Sequence, residues 1–175
     1  MGEDPGVGVH QHLLYLTGDF ATLEKETLVA RDAASKYTRF VALIELGRVA
    51  EAIKLLPAEN QKGNNPFHFL NTALALRAAG DPAEASRWQE RGLAQLEQGD
   101  SDLTRAAALL RRSTPPPPAE LDEFSLPAGA KATILALLAQ QHPAARGELL
   151  PLIAKLNVAT GYPQHLIQQT MANLK

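Results

Sequence analysis

The chain has 175 residues, enough for one ordinary domain or two small lobes, and 45% of them are hydrophobic, which is enough for a packed core. Its 17 basic and 19 acidic residues give a formal net charge of −2, so no global electrostatic attraction draws it to nucleic acid or anionic lipid. The absence of cysteine excludes disulfides, thiolate metal sites and thiol catalysis. Leu and Ala dominate and only 5% of the residues are aromatic, a composition typical of an all-α protein.

The N-terminal stretch MGEDPGVGVH lacks the apolar core of a secretory signal peptide. No apolar run in the chain approaches the length of a membrane span. We therefore expect a cytoplasmic protein with neither a membrane nor a nucleic acid as partner.

A glycine corner recurs three times along the first half of the chain, at Gly18-Asp19, Gly47-Arg48 and Gly80-Asp81. The corners are separated by 29 and 33 residues, and each has an apolar run before it and an amphipathic run after it. Glycine can adopt the left-handed conformation that ends one helix, and Asp can cap the next helix through its carboxylate. Each unit is therefore predicted to be a helical hairpin.

These hairpins resemble the tetratricopeptide repeat, a helix-turn-helix unit of about 34 residues. The unit from Pro66 to Gly99 matches the repeat best, through small residues and a corner at the usual places: Ala73, Gly80-Asp81, Ala85 and Gly92. The second unit, about 33–61, departs at Phe40, and the first, about 5–32, departs at Leu23, where smaller side chains are usual. The resemblance implies a right-handed α-solenoid of such hairpins over residues 1–112, with a concave groove.

The segment after the repeats is rich in proline. A helix from Ser101 to Arg112, capped by Asp100 or Ser101, stands where another unit would begin. Four consecutive prolines then interrupt the chain, and they favour an extended polyproline conformation. Residues 113–127 are therefore predicted to form a linker, or a strap packed across the helices.

Residues 128–175 are predicted to form a C-terminal helical lobe that covers the end of the array. The helices are separated near His142-Pro143 and by Gly161-Tyr162-Pro163. Pro151 lies inside an apolar run, so its helix either starts late or is kinked.

By resemblance to the repeat family, polar and aromatic side chains on the first helix of each hairpin line the groove and contact an extended peptide. These candidates are His12, Tyr15, Tyr37, Thr38, Asn71, Arg77, Arg105 and Arg112. Asn71 and Arg105 lie 34 residues apart, at equivalent points of consecutive first helices, and look like part of the clamp that holds acidic chaperone C-termini in some family members. Three other clamp positions carry Tyr37, Val41 and Ser101 instead of Lys, Asn and Lys.

Each of these features also has a purely structural interpretation. Asn71 and Arg105 then lie on the solvated helix surface, and Arg105 with Arg111-Arg112 complements a helix C-terminus. The acidic clusters Glu24–Glu26 and Glu120–Phe124 are interpreted as a solvated helix face and a solvated linker. Trp88, the sole tryptophan, is interpreted as a core residue rather than an interface residue.

Enzyme and metal signatures are missing from the sequence: there is no nucleophile elbow, phosphate loop, dinucleotide fingerprint or zinc-protease helix, and no histidine pair at helical spacing. No catalytic residue, cofactor or metal is therefore predicted. The predicted function is a non-catalytic protein-protein interaction module or scaffold that binds a peptide or protein in its groove. The alternative is an accessory helical domain that positions an enzyme or another partner in a complex; a stand-alone enzyme is the third interpretation.

Overall fold

A computed structural model describes residues 5–29, 33–55, 66–117, 119–120, 123, 125–156 and 164–174, and every regular element in these ranges is helical. The prediction of an all-α protein is confirmed for this part of the chain. The chain divides into two compact units, Met1–Gly63 and Asn64–Lys175. This division differs from the predicted boundaries, which set residues 1–112, 113–127 and 128–175 apart. No helix in the described ranges is long and apolar enough to span a membrane.

The first unit contains two helical hairpins. Its helices are α1 (Pro5–Thr17), α2 (Phe20–Thr27), α3 (Ala33–Glu45) and α4 (Val49–Lys54). α2 packs against both α1 and α3, and α3 packs against α4. Phe20, Leu23 and Ala42 form a buried cluster, against which the partly buried Leu14 and Tyr15 pack.

The second unit contains the third hairpin and the C-terminal helices. Its helices are α5 (Pro66–Ala78), α6 (Pro82–Leu96), α7 (Ser101–Leu110), α8 (Ala128–Gln141), α9 (Arg146–Lys155) and α10 (Gln164–Leu174), with a 3-10 turn at Pro143–Ala145. α8 packs against α5, α7, α9 and α10, and α10 also packs against α5. Pro151 lies inside α9, which begins five residues earlier, so the prediction of a late start is wrong.

All three predicted corners have the geometry that their glycines allow. Gly18, Gly47 and Gly80 have φ values of 77°, 74° and 84°, in the left-handed region. Asp19 and Asp81 each accept a hydrogen bond from the backbone N–H three residues on, at 3.2 and 3.1 Å. The residue after Gly47 makes no such side-chain cap. The hairpin predictions are therefore confirmed at the level of local structure.

Two helices of the second unit are buried on nearly every side. Residues 69–76 of α5 and 132–139 of α8 are all buried, and both segments are apolar except for Asn71, Thr72 and Thr133. Trp88 of α6 is 1% exposed, and its ring centroid lies 5.7 Å from that of Phe69. The prediction that Trp88 is a core residue is confirmed.

Candidate functional site

The Pro-rich segment returns along α7 and is bound to it by side chains. We call residues 113–127 the strap. Glu120 lies opposite Arg112, which follows the C-terminal end of α7, and Glu123 lies opposite Arg105. Near the start of α7, the Ser125 N–H donates to a carboxylate oxygen of Asp102 at 3.1 Å. The described contacts of the strap therefore follow α7 in the antiparallel direction, an arrangement expected of a strap rather than of a free linker.

The strongest contact of the strap is a bidentate ion pair. The two terminal nitrogens of Arg112 donate to the two oxygens of Glu120 at 2.7 and 2.8 Å, the fork geometry in which guanidinium and carboxylate match best. The Glu120 side chain is 20% exposed. Glu120 is therefore paired with Arg112 at the surface of the protein, within the segment interpreted from the sequence as a solvated linker. Leu121, Asp122 and Phe124 of the same cluster lie outside the described residues.

The strap contacts also shift the titration of the charged groups. The hydrogen bond from Arg112 lowers the pKa of Glu120, and the same bond raises the pKa of Arg112. The hydrogen bond to Glu123 likewise raises the pKa of Arg105. These ion pairs lie at the surface, where solvent screens them, so they contribute little to the stability of the fold.

The predicted clamp residue Asn71 is not open to a ligand. It is 2% exposed, and its amide oxygen accepts a hydrogen bond from the hydroxyl of Thr133 in α8 at 2.7 Å. The expectation of an exposed Asn71 is therefore wrong. The repeat pattern placed Asn71 on the inner face of its hairpin, but it gave no information on which helix covers that face.

Arg77, another predicted peptide contact, lies near the end of α5 and is half-buried. Its guanidinium donates to the side-chain oxygens of Gln140, at 3.0 Å, and of Gln89. Burial lowers the pKa of Arg77. The hydrogen-bond partners of this cation in the described part of the chain are thus neutral amides.

The remaining four candidates belong to the first unit. His12 is exposed on α1, and Tyr15 is half-buried with its ring edge-on to Phe20 at a centroid distance of 6.0 Å. Thr38 is half-buried on α3. The side chain of Tyr37 lies outside the described residues. Peptide binding at these positions stays a prediction.

Ion pairing also changes the interpretation of the cluster Glu24–Glu26. The Glu24 side chain is 13% exposed and pairs with Arg39 at 3.1 Å and with Arg48 at 3.3 Å. Glu24 therefore joins α2 to α3 and to the corner that precedes α4, and its assignment to a solvated face is wrong. Glu26 pairs with His10 at 3.0 Å.

Sequence reasoning missed the strap anchors Glu120, Glu123 and Asp102 and the buried Thr133. Acidic residues near Arg105 and Arg112 were visible in the sequence. The course of the chain after α7 decides which carboxylate pairs with which arginine, and the sequence does not show that course. Within the described ranges, no three His, Asp or Glu side chains come together as a metal site.

Comparison with known proteins gives no relative: no family model matches the chain, and neither a curated protein nor a solved structure matches it. The resemblance to the tetratricopeptide repeat accordingly stays a prediction.

Proposed function

We propose that this chain is a non-catalytic protein-interaction module that holds an extended acidic segment of a partner protein along α7. The observation that supports this is the strap, an acidic segment of this chain that α7 already holds in cis. Arg105 and Arg112 bind its carboxylates, and Asp102 accepts a backbone N–H, the kinds of contact by which peptides are recognised.

The proposal includes the architecture that the sequence suggested, a right-handed α-solenoid of tetratricopeptide-like hairpins acting as a scaffold. The repeated left-handed glycine corners support it, because a hairpin array of this type presents an extended surface to protein partners. A cytoplasmic location stays a prediction of the sequence.

The experiment uses the strap sequence itself as the probe. A labelled synthetic peptide of residues 113–127 is titrated against the full chain and against the Glu120→Gln/Glu123→Gln variant by fluorescence anisotropy. The variant should bind the peptide at least about tenfold more tightly, because its own strap competes less well at high effective concentration. A control, Glu51→Gln/Glu148→Gln, removes the same charge at two exposed positions away from the strap and should bind like the wild type.

Adding Arg105→Gln and Arg112→Gln to the Glu120→Gln/Glu123→Gln variant should abolish its gain in affinity for the peptide. If the Glu120→Gln/Glu123→Gln variant fails to bind the peptide, or binds it equally well without these two arginines, α7 is not the peptide-binding surface.

A second candidate, the accessory helical domain, is favoured by one observation in the first unit. α1 exposes Val9, Leu13 and Leu16, at 63%, 53% and 38%, along one helix face. Exposed apolar patches of this kind mark surfaces that another subunit covers. A native complex lost on Leu13→Ser but retained on Arg105→Gln would favour this candidate over the peptide-binding module.

A further inference from the structure

A cavity of about 570 Å³ lies in the second unit, away from the strap contacts. It is formed by the last residues of α5, α8 and α10 and the first residue of α9, and its polar lining consists of Arg77, Gln140, Gln141, Arg146, Thr170 and Asn173. Its volume falls in the range of about 300–1,000 Å³ that is usual for small-molecule sites. Its lining in the described chain contains two cations and no carboxylate.

The two arginines of this cavity differ from those beneath the strap. Arg105 and Arg112 each pair with a glutamate, whereas Arg77 hydrogen-bonds, among the described residues, to the neutral Gln89 and Gln140. Arg146 donates one hydrogen bond, from Nε to the Ala139 carbonyl at 3.0 Å. Since a guanidinium carries five N–H donors, both groups keep donors that no described residue uses.

Thr170 supplies a third, neutral donor. It is 2% exposed, and its hydroxyl has no hydrogen-bond partner among the described residues. A buried hydroxyl without a partner costs free energy, and so does a buried cation without a counter-ion. An anion in the cavity would satisfy both kinds of group at once.

We propose that this cavity binds a small organic anion, with Arg77 and Arg146 taking its carboxylate or phosphate group and Thr170 donating a further hydrogen bond. A purely structural role, in which the arginines complement helix C-termini, accounts for the bond from Arg146 to Ala139. It leaves the other donors and the Thr170 hydroxyl unexplained. The cavity shares no lining residue with the strap anchors, so this proposal is independent of peptide binding at α7.

The test is titration calorimetry of the full chain with inorganic phosphate, with citrate and with uncharged glycerol. At least one of the two anions should bind at a single site with a Kd of about 1 mM or tighter, and glycerol should not bind. Binding of phosphate alone identifies a phosphate ligand, and binding of citrate alone identifies a carboxylate ligand. Failure of both anions to bind overturns the proposal.

Two variants locate the bound anion. Arg146→Gln should weaken binding about tenfold or more, because a charge-assisted hydrogen bond is lost. Arg87→Gln removes the same charge at a side chain that is 77% exposed, and it should leave the affinity unchanged. The proposal is overturned if both variants weaken anion binding equally, or if neither variant weakens it.

Thr170→Val keeps the shape of the side chain and removes only the donor. It should weaken anion binding several-fold, and it decides the outcome if Arg146→Gln does not fold. Wild-type affinity in Thr170→Val, together with a failure of Arg146→Gln to fold, counts against the site.

Discussion

The hydroxyl of Thr133 donates to the amide oxygen of Asn71 over 2.7 Å, and both side chains are buried. This bond joins α8 to α5 and places α8 over the face of the third hairpin that carries Asn71. Because α8 covers this face, a peptide groove open at Asn71 does not exist in this unit. Asn71 belongs to the folding of the unit rather than to a binding surface.

Thr133→Val should lower the free energy of unfolding by about 1–3 kcal/mol, because it leaves the buried Asn71 oxygen without its donor. Urea unfolding followed by far-ultraviolet circular dichroism measures the change. Thr104→Val, the same substitution at an exposed position of α7, should cost no more than about 0.5 kcal/mol. Equal losses in the two variants would contradict a special role for the Thr133 hydroxyl.

Gly80→Ala should cost about 1–2 kcal/mol of stability, because Gly80 has φ +84° and a side chain strains that conformation. Nothing lies within 4 Å of the added methyl group, so the cost is backbone strain alone. Gly147→Ala is the matched control. The methyl group added at Gly147 also meets open space, but Gly147 lies in a helix. The substitution should therefore stabilise the protein by up to about 1 kcal/mol. Thermal melts in which both variants shift in the same direction would refute the left-handed corner.

Gly92→Ala should destabilise the α5–α6 contact by about 1–3 kcal/mol through overpacking. The added carbon would lie 2.7 Å from the Leu70 side chain and 3.2 Å from the Pro66 carbonyl oxygen. Leu70→Ala should lower the free energy of unfolding less in the Gly92→Ala protein than in the wild type, because the smaller side chain removes the clash. Denaturant unfolding of the four members of this cycle measures the coupling, and strictly additive losses would show that Gly92 and Leu70 do not meet.

Acid should destabilise the second unit through His68. Burial lowers the pKa of His68 from 6.5 to about 4, so between these pH values the unfolded chain binds a proton that the folded chain does not. Stability contributed by neutral His68 is complete above pH 6.5 and is lost as the pH falls towards 4, up to about 3 kcal/mol.

His68→Gln should flatten the dependence of the unfolding free energy on pH in that window. His12→Gln, the same substitution at an exposed histidine, should leave the dependence of the unfolding free energy on pH as it is in the wild type. Chemical unfolding at a series of pH values gives both slopes, and identical slopes for the two variants would mean that burial does not hold His68 neutral.

Local structure was predictable from the sequence, whereas tertiary contacts were only partly so. The corner at Gly80 and the burial of Trp88 follow from residue chemistry that acts within a hairpin. The burial of Asn71 depends on α8, more than fifty residues away, and no local pattern encodes that contact. The pairing of Arg112 with Glu120 depends on how the chain returns towards α7 after residue 112, for which hydrophobic periodicity carries no signal.

Trp88 lies in the core of the second unit, and the first unit has no tryptophan. Selective excitation of the indole therefore reports on only one half of the molecule, while circular dichroism reports on the helices of both. If the two signals change together on denaturation, the halves unfold cooperatively; if they separate, each half has a melting transition of its own.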